Sequence, residues 1–320
     1  MYKSLPRDHT RTRVHAPRSF LHDLGQGGLA ISGPLFIIGG NEDKKGPRRI
    51  LKRIAALVKQ SERGGGLGII TTASLEERQA YETYRAVFSE LGIHTVEHLP
   101  VSTRLKASEE TVVHRIRSLS LVFFSGGDQL RITSLLGGTL LHRTLLEEHR
   151  RGLAIAGTSA GASMMSDTMI VAGDAETMPT RNTVEMAPGM GFWPGAVIDQ
   201  HFSQRGRIGR LVSALAQNPG ILGVGLDEDT AIEVRLDEAR LLVHGSRTVT
   251  ILDGREVTET NASESSPGQP LALTSVRLHV LPDGYGFDLS RRLPLSAEDP
   301  TWSREDIIRG DFIHPLLSRP

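Results

Sequence analysis

The stretch AIAGTSAGASMM, residues 154–165, opens with small apolar residues, bends through Gly157-Thr158 and shows one serine, Ser159, among alanines and glycines. A buried strand that meets a turn and then a helix is the unit from which parallel α/β sheets are assembled. Gly157-Thr158-Ser159-Ala160-Gly161 fits the G-x-S-x-G pattern, in which a serine is presented on a sharp strand-to-helix turn. A nucleophile on such a turn sits in a strained conformation. The positions beside it must be small, because larger side chains would collide with each other or with the sheet. The helix start leaves backbone N–H groups free, and that of Ala160 can receive an oxyanion. A glycine-rich turn that merely buries a serine is the alternative.

The surrounding pattern supports the same architecture. GPLFIIGG (33–40) reads as a buried strand, PRRILKRIAALVKQS (47–61) as a helix, LGIITTAS (67–74) as a strand, and LEERQAYETYRAVFSELG (75–92) as a helix stopped by Gly92. HTVEHLPV (94–101), SEETVVHRIRSL (108–119) and SLVFFSGGDQ (120–129) continue the alternation, and helical residues run on to about Arg151. Strands alternating with helices predict βαβ units and a parallel sheet. Ligands of such sheets bind beyond the carboxyl ends of the strands. Gly39–Asp43, Thr71–Ser74, Ser125–Gln129 and Gly157–Ser159 all fall there and are expected to converge on one rim.

Beyond a glycine- and proline-rich loop (172–195), AVIDQHFSQRGRIGRLVSALAQNPG (196–220) reads as a strand running into a helix. The segments from 221 to 289 alternate at period two with Asp-Gly turns, predicting antiparallel hairpins that extend the sheet. Residues 1–28 read as an irregular leader, 29–290 as a single catalytic domain and 291–320 as an irregular tail.

With 37 basic and 37 acidic residues among 320, no bulk field recruits nucleic acid or an anionic membrane. No run of about 18 apolar residues offers a membrane span, and the N-terminus lacks the apolar core of a secretory signal; a cytoplasmic protein is expected. The absence of cysteine excludes disulfides, thiolate metal sites and a cysteine nucleophile. The histidines are scattered without an H-E-x-x-H pair, so neither metal nor cofactor is expected.

A serine nucleophile needs a base, and His201 follows the apolar strand AVI inside DQHF, at the carboxyl end where the other loops gather. A histidine hydrogen-bonded at a strand end is the plainer reading, and Asp199 and Gln200 could simply cap the next helix. For the orienting acid, Asp174 and Glu176 follow the serine, whereas Asp227, Glu228 and Asp229 end the strand ILGVGL. Glu228 is preferred, with Glu176 as the fallback. The turn Gly126-Gly127-Asp128 could supply a second oxyanion donor through Gly127 or Asp128, since glycine lets the backbone approach closely, or be a bare turn. Arg205, Arg207 and Arg210 form either a solvated charged face or a set of carboxylate-binding guanidinium groups.

FIIGGNEDK, FFSGGDQ, AGTSAGASMMSDTMIV, APGMGFWPGAVIDQHFSQRGRIGRL and GVGLDEDTAI, in this order over roughly residues 33–290, resemble the cyanophycinases, serine exopeptidases of the peptidase E (aspartyl dipeptidase) group. The resemblance implies a three-layer α/β/α fold with a mostly parallel sheet, class-I-glutamine-amidotransferase-like (flavodoxin-like), with serine where amidotransferases carry cysteine. It implies hydrolysis of cyanophycin, a polyaspartate bearing arginine on each β-carboxyl, to β-Asp-Arg dipeptides by a homodimer. By matching motifs, Ser159 is the nucleophile and His201 the base, while Gln129, Asp199, Gln200, Arg205, Arg207 and Arg210 fall at substrate-binding positions. Thr177 stands at one apparent match for a loop acid, which favours Glu228. Glu42, Asp43, Asp128 and Glu185 are candidates to hold substrate guanidinium. The alternatives are an aspartyl dipeptidase on short Asp-X peptides, a non-catalytic peptide-binding domain, and an esterase of the α/β-hydrolase fold, whose usual order Ser, acid, His differs from this one.

Overall fold

Short apolar strands, buried on both faces, form the centre of the molecule. The computed structural model describes residues 32–173 and 178–297. Strands β1 (Leu35–Ile38), β2 (Leu67–Ile70), β4 (Leu121–Phe124) and β5 (Ala154–Thr158) are buried at every position, as continuous apolar runs in a parallel sheet must be. With β3 (Val96–Leu99) they lie in the order β1-β5-β4-β2-β3, all parallel. On the other side of β1 the sheet continues antiparallel through β10 (Thr230–Arg235), β11 (Arg240–Gly245), β14 (Gly286–Asp288) and β15 (Leu293–Leu295), giving nine strands.

Helices cover both faces. Helix α1 (Arg49–Gln60) buries Ile50, Ile54 and Val58, spaced one turn apart, and α2 (Glu77–Glu90) adds Tyr84, Val87 and Phe88 to the same layer. Arg53 of α1 is also buried, and its guanidinium forks onto Glu233 of β10 at 2.8 and 3.1 Å. On the opposite face α3 (Glu110–Arg117), α4 (Gln129–Leu136), α5 (Leu140–His149) and α6 (Ala160–Ser163) pack into the larger core. The three-layer arrangement is therefore present.

The structure departs from the sequence expectation in its second half. Only β10, β11, β14 and β15 extend the main sheet. Strands β9 (Leu222–Leu226), β12 (Thr248–Asp253) and β13 (Arg277–Pro282) join β8 (Ala196–Gln200) in a separate four-stranded sheet, with β8 and β9 parallel. Its Leu222, Val224, Leu226, Val249 and Ile251 face the larger core, while Val197 and Leu252 meet α7 (Ile208–Gln217) on the other side. Period two reports a strand and its two faces, but not which sheet accepts it. The expected loop 172–195 contains β7 (Val184–Pro188), paired antiparallel with β6 (Thr168–Gly173), and the expected irregular tail begins with β15. The leader 1–28, the tail beyond 297 and the segment 174–177, which holds the fallback acid Glu176, lie outside the described residues.

Candidate active site

Three side chains meet where the carboxyl ends of the two sheets come together. Ser159 follows β5 with φ 54° and ψ −112°, a conformation that non-glycine residues rarely adopt. Its neighbours show why small residues are needed. A Cβ on Gly157 would stand 2.3 Å from the Gly161 carbonyl oxygen, and one on Gly161 2.5 Å from that of Phe124. The Ser159 N–H donates to Ile38 at 3.0 Å, so β1 holds the turn from beneath.

His201 follows β8 and donates its backbone N–H to Gly39 at 2.8 Å, which ties the small sheet to the end of β1. Its Nε2 lies 3.0 Å from Ser159 Oγ, and its Nδ1 lies 2.7 Å from Oε1 of Glu228. Glu228 occupies the turn through which the chain passes from β9 in the small sheet to β10 in the large one. Asn41 donates to its Oε2 at 3.0 Å, and the Glu228 backbone N–H donates to Gln204 at 2.9 Å. With Glu228 accepting from Nδ1–H, the neutral imidazole keeps Nε2 free to accept the serine proton. Burial lowers the pKa of His201, opposed by the bond to Glu228 and assisted by the charge of Arg205. The bonds from Asn41 and His201 hold the Glu228 carboxyl below its ordinary range. The base is thus neutral and the acid ionised at neutral pH, as proton abstraction from a hydroxyl requires.

The four expected rim segments converge. Gly40, at φ 100°, lies so close to the imidazole that a Cβ there would stand 2.3 Å from Cε1 of His201. Gly126 lies against the nucleophile, with a Cβ position 3.3 Å from Ser159 Cβ. Ala160 opens α6, so its N–H has no carbonyl one turn back to meet. The expectation for Asp128 as an oxyanion donor needs correction. Its N–H is spent on Ala73 at 2.9 Å, and its carboxylate caps α4 by accepting from Leu130 N–H at 2.8 Å. Gly127 is left as the donor candidate of that turn.

The substrate-binding positions divide sharply. Asp199 is fully buried, and Arg210 forks onto both its carboxylate oxygens, with Nε at 2.6 Å from Oδ2. Arg207 contacts Asp199 Oδ1 at 3.2 Å and also donates to the Gln200 carbonyl oxygen. Both arginines are buried, and desolvation lowers Arg207 to about 10 despite the Asp199 charge. Asp199, Arg207 and Arg210 therefore form an internal ionic brace beneath the site, not a solvated face and not three open carboxylate receptors. Gln200 is buried with Oε1 3.5 Å from Ser159 Oγ, and Gln129 donates to the Ile170 carbonyl at 3.0 Å. Arg205 alone is exposed, close enough to His201 and Glu228 to act on both electrostatically.

Of the guanidinium candidates, Glu42 is sequestered, accepting from Tyr84 at 2.5 Å and Thr158 at 2.6 Å, with Lys44 at 2.9 Å. Asp43 accepts from the backbone N–H groups of Lys45, Gly46 and Arg48, which hold its carboxyl below its ordinary range. Those two shape their own loop. Glu185 is exposed on β7. Asn41 and Gln204, which fix Glu228, carry no motif of their own; Asn41 lies in the rim segment Gly39–Asp43, and nothing in the sequence points to Gln204. Among the described residues, no three His, Asp or Glu side chains are placed to share a metal ion, and no helix is long and apolar enough to cross a membrane.

Known proteins similar to this chain place it in a family. Residues 35–242 match the profile of peptidase family S51. A cyanophycinase of Synechococcus elongatus is 38% identical over 262 residues, spanning 80% of this chain and 79% of the relative. One from a Nostoc species is 38% identical over 264 residues (82% and 88%), and one from Geminocystis herdmanii is 35% identical (82% and 96%). A crystal structure of a peptidase from an acI-B1 actinobacterium superposes with a TM-score of 0.60 at 21% identity, covering 81% of this chain and 98% of the other, which bears on the fold alone.

Proposed function

The chain belongs to peptidase family S51, whose members are hydrolases of peptide bonds, and from that membership we propose that it degrades cyanophycin as a serine exopeptidase. The observation that carries this reading is the unbroken line from Ser159 Oγ to His201 Nε2 and from His201 Nδ1 to Glu228, at 3.0 and 2.7 Å. His201 takes the serine proton as Oγ attacks the α-carbonyl of an aspartyl residue. The N–H groups of Ala160 and Gly127 receive the oxyanion. His201 then protonates the leaving amine, and water releases the acyl group as a β-Asp-Arg dipeptide by the reverse sequence. Glu228 orients the imidazole and stabilises its charged form. Arg205 meets substrate carboxylate, and Gln129 and Gln200 line the approach to the serine. The protein works as a cytoplasmic homodimer with one catalytic domain, which the pairing of β15 with β14 carries past residue 290.

A second reading, an aspartyl dipeptidase on short Asp-X peptides, draws support from the burial of Arg207 and Arg210, which leaves one open arginine where a repetitive substrate would be served by several. Offering purified cyanophycin and Asp-X dipeptides side by side separates them. The polymer reading expects β-Asp-Arg by mass and little turnover of Asp-X; preferential cleavage of Asp-X would replace it with the second.

A further inference from the structure

The loop Gly39–Asp43 touches two members of the proposed catalytic array, His201 and Glu228, and the residue directly before the third, although it contributes none of them. Gly39 accepts the His201 N–H at 2.8 Å, and Gly40 accepts the Asp229 N–H at 2.9 Å, one residue beyond Glu228. Asn41 donates through Nδ2 to Glu228 Oε2 at 3.0 Å, from the far side of the carboxylate to the one that meets His201. Glu42 sends its fully buried carboxylate the other way. It receives Tyr84 Oη, Lys44 Nζ and, at 2.6 Å, the hydroxyl of Thr158, the residue directly before Ser159.

A carboxylate carrying three donors in a dry setting is rigid, because moving it would strand a buried charge. Glu42 therefore pins the loop to the nucleophile turn from below, and the loop reaches over to the acid from above. Asn41 holds φ 47°, in the left-handed region that asparagine tolerates better than most residues. Its exposed amide is directed onto one carboxylate oxygen, and a surface residue gains nothing structural by holding that conformation.

We propose that Asn41 is a positioning residue for this array: its amide holds the Glu228 carboxylate in the orientation that meets His201, on a loop that Glu42 registers to the Ser159 turn. A two-oxygen carboxylate hydrogen-bonded only at Oε1 can rotate about its last bond and let the imidazole swing from the serine. Bonded at both oxygens it cannot. The groups that set the charge around the imidazole are Glu228, Arg205 and Arg207, and around Glu228 they are Asn41, His201 and Arg205. Asn41 is the one of these that is neutral and touches only the acid.

The proposal rests on the serine-peptidase reading for its rate effect, but its test has a readout independent of turnover. Asn41→Gly keeps the left-handed backbone and removes only the amide. It is expected to lower kcat several-fold, up to about tenfold, with KM unchanged. The acid limb of the rate profile should move to lower pH, because a carboxylate no longer held toward Nδ1 supports the imidazolium less. Titration of the His201 ring by NMR in wild type and Asn41→Gly should show the same downward movement even with no substrate present. Asn41→Asp keeps the shape but sets a second carboxylate against Glu228, and is expected to be slower than Asn41→Gly. An unmoved His201 titration, or full activity in Asn41→Asp, overturns the assignment. If wild type fails to cleave the polymer while the titration still moves, the substrate reading fails and the positioning role stands.

Discussion

At the residue scale, the chemistry depends on three backbone positions that ordinary side chains avoid. Ser159, His201 and Asn41 all have positive φ, at 54°, 47° and 47°. Such conformations cost about 1–3 kcal/mol each and persist only where the surroundings overdetermine them. Here Ile38 holds Ser159, Gly39 holds His201 and the buried Glu42 holds the loop of Asn41. The acid can be tested alone. Glu228→Gln keeps the shape and removes the charge, and kcat should fall about 10²- to 10⁴-fold as the imidazole loses its orienting partner. Since Glu228 raises the pKa of His201 against the lowering effect of burial, losing it should move the acid limb of kcat/KM to lower pH, further than Asn41→Gly does. A pH–rate profile of the two variants checks both shifts. A limb at the wild-type position in both would show that His201 is not the group being read. The serine and the histidine are legible in the sequence because each sits in a dense local pattern, G-x-S-x-G and DQHF. Asn41 and Gln204 are not, because a single amide acting across 187 or 24 residues leaves no spacing to read.

At the element scale, α7 and the end of β8 form one mechanical unit. Asp199 is the penultimate residue of β8 and lies two before His201, and its carboxylate gathers Arg207 and Arg210 from the start of the helix. The brace fixes the helix to the strand directly behind the imidazole, and Arg207 also holds the Gln200 carbonyl between them. A charge run in sequence cannot disclose this, because R-x-R-x-x-R looks alike whether its partners are solvent, substrate or a buried aspartate. Removing only the acid strands two buried guanidinium groups, so Asp199→Ala should destabilise the fold by about 3–5 kcal/mol. Urea denaturation measures it directly. A loss under 1 kcal/mol would mean that the arginines turn outward and are free for substrate. The same scale explains why β7 falls within an expected loop: glycine and proline signal interruption, and a five-residue strand between them leaves no longer pattern to read.

At the scale of the whole molecule, the site lies on a seam. The main sheet supplies Ser159 from β5, the small sheet supplies His201 from β8, and Glu228 rides on the chain as it crosses from one sheet to the other. The parallel half of the main sheet was legible because fully apolar strands between amphipathic helices allow few other arrangements. The second sheet was not, because β9 and β10 show similar burial patterns on either side of the turn that separates them. The account stands or falls on whether the hydroxyl at this seam performs the reaction. Purified wild type and Ser159→Ala, each shown to be folded by its thermal transition, should be incubated with cyanophycin and the soluble products weighed by mass spectrometry. The wild type should release β-Asp-Arg, and Ser159→Ala should bind the polymer and release none. Dipeptide release by Ser159→Ala at the wild-type rate would contradict the account.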